Sequence, residues 1–335
     1  MKHSRILILS LLLTIVFVLA ACGTKAPEPA SSSDEAPPAE VESLAELVNI
    51  RIAALPVLDT LPIYVAQQEG LFEQYGITVE AIPASSAPKR DELINASQAD
   101  GMINEVMSTI FHNREETRVQ IVRYGRIATA DSPAFFILSA KESGIESLEA
   151  LKGVEIGVSQ GTIIEYLTDR LLQAEGFSDE DINTVAVPDI GQRMALLGSG
   201  ELSAAMLPDP LASLVMQQGA VLVLDDSSHP EYSYSTIAFR KEFTDQHPEA
   251  VRGFLAAWEE AVQKINADPQ KYADLMVERK LVPPPLVGQF PVPDFVTAGI
   301  PTQAQWDDAI AWAGEKGIET GQASYAESVT DAYLP

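Results

Sequence analysis

The sequence predicts an α/β protein with parallel-rich sheets and helices on both faces. Short apolar runs of strand length alternate with helical stretches from Val48 onward, with no tandem repeat among them. After Phe239 the chain turns mainly helical, so the sheets are complete by that point.

The first strand is expected over 50–55, followed by a helix over 61–74 with Ile63, Ala66 and Gly70 at helical spacing. Gly76 closes that unit, and 77–82 is the second strand. A helix over 89–99 leads to short strands at 101–104 and 119–124. A second series opens with strands at 135–138 and 154–158 around a helical turn at 147–151. Helix 162–174, strand 184–187, helix 190–197, strand 204–207, helix 211–217 and strand 221–224 follow. Strand 236–239 precedes helices at 248–266, 269–279 and 302–316, and the Pro-rich stretch 282–294 reads as a loop.

Ahead of the body, residues 1–21 have the layout of a secretory signal: Lys2 and Arg5, then a nearly unbroken apolar run over 6–19. The run ends in Leu19-Ala20-Ala21-Cys22, and two small residues before a cysteine are what lipoprotein signal peptidase requires. It is short for a membrane span of ~20 residues. Cys22 is the one cysteine, so no disulfide framework exists and lipidation is its expected role. Residues 22–47 are rich in Pro, Ala, Ser and Glu and read as a flexible tether between anchor and body.

The formal charge is −26, from 48 acidic against 22 basic residues. Such acidity argues against nucleic acid as a partner and against electrostatic docking on anionic lipid. Membrane attachment is therefore expected through the lipid alone. His112, His229 and His247 lack metal-ligand spacing, and neither a P-loop nor a nucleophile elbow is present, so no metal, cofactor or catalytic role is expected.

Four stretches carry a family resemblance. They are Leu61-Pro62-Ile63-Tyr64-Val65-Ala66-Gln67-Gln68-Glu69-Gly70-Leu71-Phe72 with Tyr75-Gly76-Ile77-Thr78-Val79; the run 148–162; Gly200 through Pro208-Asp209-Pro210; and 243–248 with Asn266-Ala267-Asp268-Pro269. In order and spacing the chain resembles the solute-binding proteins of ABC importers that take nitrate, sulfonates, taurine and thiamine-type pyrimidines. That resemblance implies a two-lobed periplasmic-binding-protein fold with two crossover strands and a ligand cleft between lobes. It also implies an ABC permease with its ATPase as partners, and a monomer. The crossings are expected near 128–134 and 232–236, giving lobe one as 48–130 plus 237–320, lobe two as 131–236, and a tail at 321–335.

Ligands of open α/β sheets sit beyond the carboxyl ends of strands. Four such loops supply the candidates: Asp59 and Thr60 with the nearby Tyr64; Asn104 and Glu105; Ser159, Gln160, Gly161 and Thr162; and Asp209. The 159–162 turn opens a helix with free N–H donors, although Thr162 or Ser159 would serve equally as an ordinary cap. Asp209 is also a turn former between two prolines, and Glu105 also reads as a helix start. Tyr124, Tyr166, Tyr232 and Tyr234 join Tyr64 as aromatics near loops or crossings, where core packing or a surface position is the competing role. Acids around a cleft disfavour nitrate or a sulfonate and favour a neutral or cationic ligand. With the lipoprotein form, this looks most like the riboflavin-binding members of the family, with a thiamine pyrimidine precursor next, then a sulfonate or nitrate, or a lipoprotein enzyme.

Overall fold

The computed structural model of the chain describes residues 47–335. The predicted signal, the Cys22 lipidation site and the tether up to residue 46 lie outside the described residues. Among the described residues no helix is long and apolar enough to cross a membrane.

The strands are β1 (Val48–Ala54), β2 (Ile77–Pro83), β3 (Gly101–Asn104), β4 (Val119–Ile127), β5 (Phe135–Ser139), β6 (Glu155–Val158), β7 (Asn183–Ala186), β8 (Ala204–Pro208), β9 (Val221–Asp225) and β10 (Tyr234–Arg240). They form two five-stranded sheets, ordered β2-β1-β3-β10-β4 and β7-β6-β8-β5-β9. Both follow one plan. Three parallel strands (β2-β1-β3 and β7-β6-β8) are followed by an antiparallel strand (β10 and β5) and a further strand antiparallel to that one (β4 and β9). The first sheet is completed only when the chain returns in β10. It passes between the sheets twice, through 128–134 and through 226–233. This is the two-lobed α/β architecture the resemblance implied.

Local chemistry sets the element ends. The expected helix over 61–74 is two helices, Leu61–Gln68 and Leu71–Gln74, because Gly70 takes a left-handed φ of 66° between them. Ser86 and Asp189 cap the helices Ala87–Asn95 and Ile190–Ser199 by accepting from backbone N–H groups. The helix Pro248–Ala267 buries Phe254 and Trp258 against β10 and the first helices of the chain.

Beside the crossings, the helix Gln303–Glu315 ties to the helix Ile163–Ala174. The Trp312 indole N–H donates to Asp169 at 2.7 Å, and Arg170 donates to both Asp308 and Glu315. Residues 321–335, expected as a tail, hold the short helix Tyr325–Ser328, and Val329 bridges to Ile121 on β4.

Candidate functional site

A cavity lies where the carboxyl ends of the parallel strands of both sheets meet. Leu55, Val57 and Asp59 follow β1, and Asn104 and Glu105 close β3; opposite them stand Ser159 after β6, Pro188 after β7, and Pro208 and Asp209 at the end of β8. Arg126, Ala134, Phe135 and Tyr234, beside the crossings, complete the wall. The empty space is about 710 Å³ with its open mouth included.

Six of the sequence-predicted residues line this cavity: Asp59, Asn104, Glu105, Ser159, Asp209 and Tyr234. Most of their polar atoms already have partners. Glu105 accepts from Arg90 Nη1 at 2.8 Å and Nη2 at 3.2 Å. Asp209 accepts from the Ser213 N–H at 2.9 Å and its hydroxyl at 2.8 Å; burial nonetheless pushes its pKa up. Asn104 donates to Thr109 Oγ1 and accepts from the Thr236 hydroxyl. Asp59 stands 4.0 Å from Arg126 Nη1. Ser159 differs from Asp59 in being buried, and its Oγ has no partner among the described residues.

The other candidates do not line the cavity. Thr60 donates its hydroxyl to Val57 O at 2.8 Å. Tyr64 packs against the core of the first sheet, with the Arg279 guanidinium 4.9 Å over its ring. Tyr124 donates to Gln305 at 2.7 Å and meets Tyr234 edge to face. Tyr166 donates to Asp308 at 2.6 Å in the helix–helix tie described above. Gln160 is exposed. The Gly161 N–H donates to Glu165 at 2.7 Å, and Thr162 accepts from the Ile164 N–H at 3.2 Å as an ordinary helix cap. Of the donors expected from the 159–162 turn, the Gly161 N–H is thus taken up by its own helix, and the Ser159 hydroxyl is left without a partner among the described residues.

Sequence reasoning missed three arginines in the wall: Arg90, Arg126 and Arg193. They match in number the three acids, Asp59, Glu105 and Asp209, so the lining is not the acidic one expected. A signal did exist for two of them. Ala87, Arg90 and Ile94 form the buried stripe of one helix, and Ile190, Arg193 and Leu197 that of another, so each arginine sits where an apolar residue is due. Arg126 donates Nη2 to Ser132 Oγ at 3.0 Å and Pro133 O at 3.1 Å, and its Nε has no partner among the described residues. Arg193 donates Nε to Met206 O at 2.8 Å and Nη1 to Val187 O at 2.6 Å, and its Nη2 likewise has none. Burial pulls the Arg193 pKa down to about 10, which leaves the group charged at neutral pH. No cluster of three or more His, Cys, Asp or Glu suited to a metal ion occurs among the described residues.

The family model described as NMT1/THI5 like matches residues 58–272. The chain belongs to that family. A putative aliphatic sulfonates-binding protein of Bacillus subtilis (strain 168) is 26% identical over 312 residues, covering 90% of this chain and 88% of its own. A putative thiamine biosynthesis protein of Haemophilus influenzae is 26% identical over 66% of this chain and 70% of its own. Among solved structures, the alkanesulfonate-binding protein SsuA from Xanthomonas axonopodis pv. citri, bound to MOPS, superposes with a TM-score of 0.70 at 18% identity. That match covers 85% of this chain and 99% of the other, a likeness of fold.

Proposed function

We propose that this chain is the extracytoplasmic solute receptor of an ABC importer, a non-catalytic binding protein that captures a small organic molecule between its lobes for a permease and its ATPase. The observation that carries this reading is a cavity walled by strand-end loops of both sheets, with two chain passages between them among the described residues. A solute touching both walls favours the closed arrangement by the difference in its affinity for the closed and open states. In this reading Asp59, Asn104, Glu105 and Arg126 face the solute from one side and Ser159, Arg193 and Asp209 from the other, with Tyr234 between.

Riboflavin, the first ligand expectation, rested on free acids in the cleft. Glu105 and Asp209 are instead bonded within the protein and Asp59 stands 4.0 Å from Arg126, so that support is weaker. The relatives above name aliphatic sulfonates and thiamine biosynthesis, so a sulfonate and a thiamine-type pyrimidine are the two readings carried forward. Leu19-Ala20-Ala21-Cys22 supports attachment through a lipidated Cys22 at the outer face of the cell membrane.

Mass spectrometry of protein purified under native conditions tests the receptor reading. A small molecule released unchanged on denaturation is expected, and small-angle scattering should show the stripped protein compacting when it is restored. A protein that retains nothing, and neither melts higher nor compacts with any sulfonate, pyrimidine or flavin, is not this receptor. The mature chain should begin at Cys22 with added lipid mass; an unmodified Cys22 removes the anchor.

A further inference from the structure

The two lobes repeat one arrangement with a single piece missing from the second. In the first, the helix Ala87–Asn95 joins edge strand β2 to β3; in the second, Ile190–Ser199 joins edge strand β7 to β8. Arg90 and Arg193 are the fourth residues of these helices, and each is buried. Each guanidinium donates to the third residue of the strand that follows, Ile103 O at 3.4 Å in β3 and Met206 O at 2.8 Å in β8. Two residues further, just past the end of β3, comes Glu105, which neutralises Arg90. Two residues beyond Met206 comes Pro208, which has no charge to offer.

Arg193 therefore lies in the cavity wall with no carboxylate in ion-pair contact among the described residues. Asp189, the nearest acid to act on it, caps its own helix by accepting from the Gln192 N–H at 2.9 Å. The other two wall arginines differ. Arg90 has Glu105 and Asp91, and Arg126 has Asp59 beside it and feels Asp209 and Asp226. The Arg193 stem crosses Gly157, where a Cβ would lie 3.5 Å from its Cγ. Strand alternation puts Ser159, two residues on, at the same face. The unpartnered Arg193 Nη2 and Ser159 Oγ thus belong to one corner of the cavity, and both are hydrogen-bond donors.

We propose that this corner is an oxyanion subsite: a carboxylate, sulfonate or phosphate head of the solute takes, against Arg193 and Ser159, the place that Glu105 takes against Arg90. The rest of the solute is apolar at that end, because Ile163, Ile164, Pro188 and Ile190 form the surrounding wall. The proposal rests on the cleft being the solute site.

Calorimetry on stripped wild-type protein with hexanesulfonate, hexanoate, hexyl phosphate and hexanol tests it, with riboflavin and a thiamine-type aminopyrimidine as further arms. One or more of the three anions should bind and hexanol should not; their ranking identifies the head. Ser159→Ala and Arg193→Met should each weaken the best anion by roughly 10- to 100-fold, the loss expected for one charge-assisted hydrogen bond. Pro208→Glu should abolish anion binding in a folded protein by supplying the missing carboxylate from the chain. Because Arg193→Met also strips donors from two carbonyls, Ser159→Ala and the wild-type comparison of anion with alcohol decide the matter if that variant does not fold. Binding of riboflavin, the aminopyrimidine or hexanol with affinity unchanged in Ser159→Ala would overturn the oxyanion subsite and leave the receptor reading standing. Failure of every arm, with no molecule retained in native purification, would overturn both.

Discussion

Arg90 and Arg193 occupy matching places in two lobes of the same strand order, yet their electrostatics are opposite. Around Arg90, burial opposes the charge, but Asp91 and Glu105 more than offset it, and the pKa is raised. Around Arg193, burial dominates and Asp189 alone opposes it, so the pKa is lowered. A buried charge is tolerated when a partner sits within bonding distance and is costly when it does not. The first lobe carries its partner in the chain, as Glu105. In the second the geometry is kept and the partner is left out.

The largest expected effect comes from breaking the complete side. Glu105→Ala leaves Arg90 with Asp91 alone and should destabilise the protein by about 3 kcal/mol, at the low end for removing one member of a buried pair. Urea unfolding of the ligand-free protein measures it. Arg193→Met should cost less, within about 2 kcal/mol, because the carbonyls of Met206 and Val187 lose a donor while an unneutralised charge leaves the interior. Equal losses in the two variants would break the comparison, since they would mean that Arg193 is as well satisfied as Arg90.

Acid sensitivity sharpens it further. Burial pushes the Asp91 pKa up, but Arg90 and His112 outweigh that and hold it at about 2 against an ordinary 3.8. A depressed carboxylate contributes stability that is present above the unfolded pKa and is lost as pH falls through the folded one. Wild type should therefore lose stability between about pH 3.8 and pH 2 more steeply than Asp91→Asn. Matching slopes would show that the cluster around Arg90 does not hold Asp91 ionised.

The strands, and so the fold, were legible because β-length apolar runs bounded by Gly, Pro and Asp leave few alternatives. The site was legible only in part. Strand-end loops pointed to Asp59, Asn104, Glu105, Ser159 and Asp209, all of which line the cavity. The charge of that cavity was misread, because whether Glu105 is free depends on Arg90, fifteen residues away and brought back by the turn into β3. Tyr64, Tyr124 and Tyr166 illustrate the same limit. Proximity to a loop in sequence does not say which face of the helix or strand a ring occupies, and all three find partners elsewhere. Arg90 and Arg193 had a one-dimensional signal, a cation on an apolar stripe, which a search for acids and aromatics passes over.

The smallest effect separates loop geometry from ligand contact. In the sequence, Gly161 belonged to the turn whose N–H groups were expected to meet the solute. It takes a φ of +69°, its N–H is bonded to Glu165, and a Cβ built there meets nothing within 4 Å. What the position requires is the left-handed backbone, so Gly161→Ala should cost about 1 kcal/mol of stability through strain alone. Solute affinity should stay within about twofold, whereas Ser159→Ala, two residues earlier, loses a donor without adding strain. The pair is read by measuring thermal unfolding and solute affinity on the same preparations. Gly161→Ala should lower the melting temperature and spare binding, and Ser159→Ala should do the reverse. A Gly161→Ala protein that melts like wild type but binds poorly would move the solute from the Arg193 corner onto the backbone of the 159–162 turn.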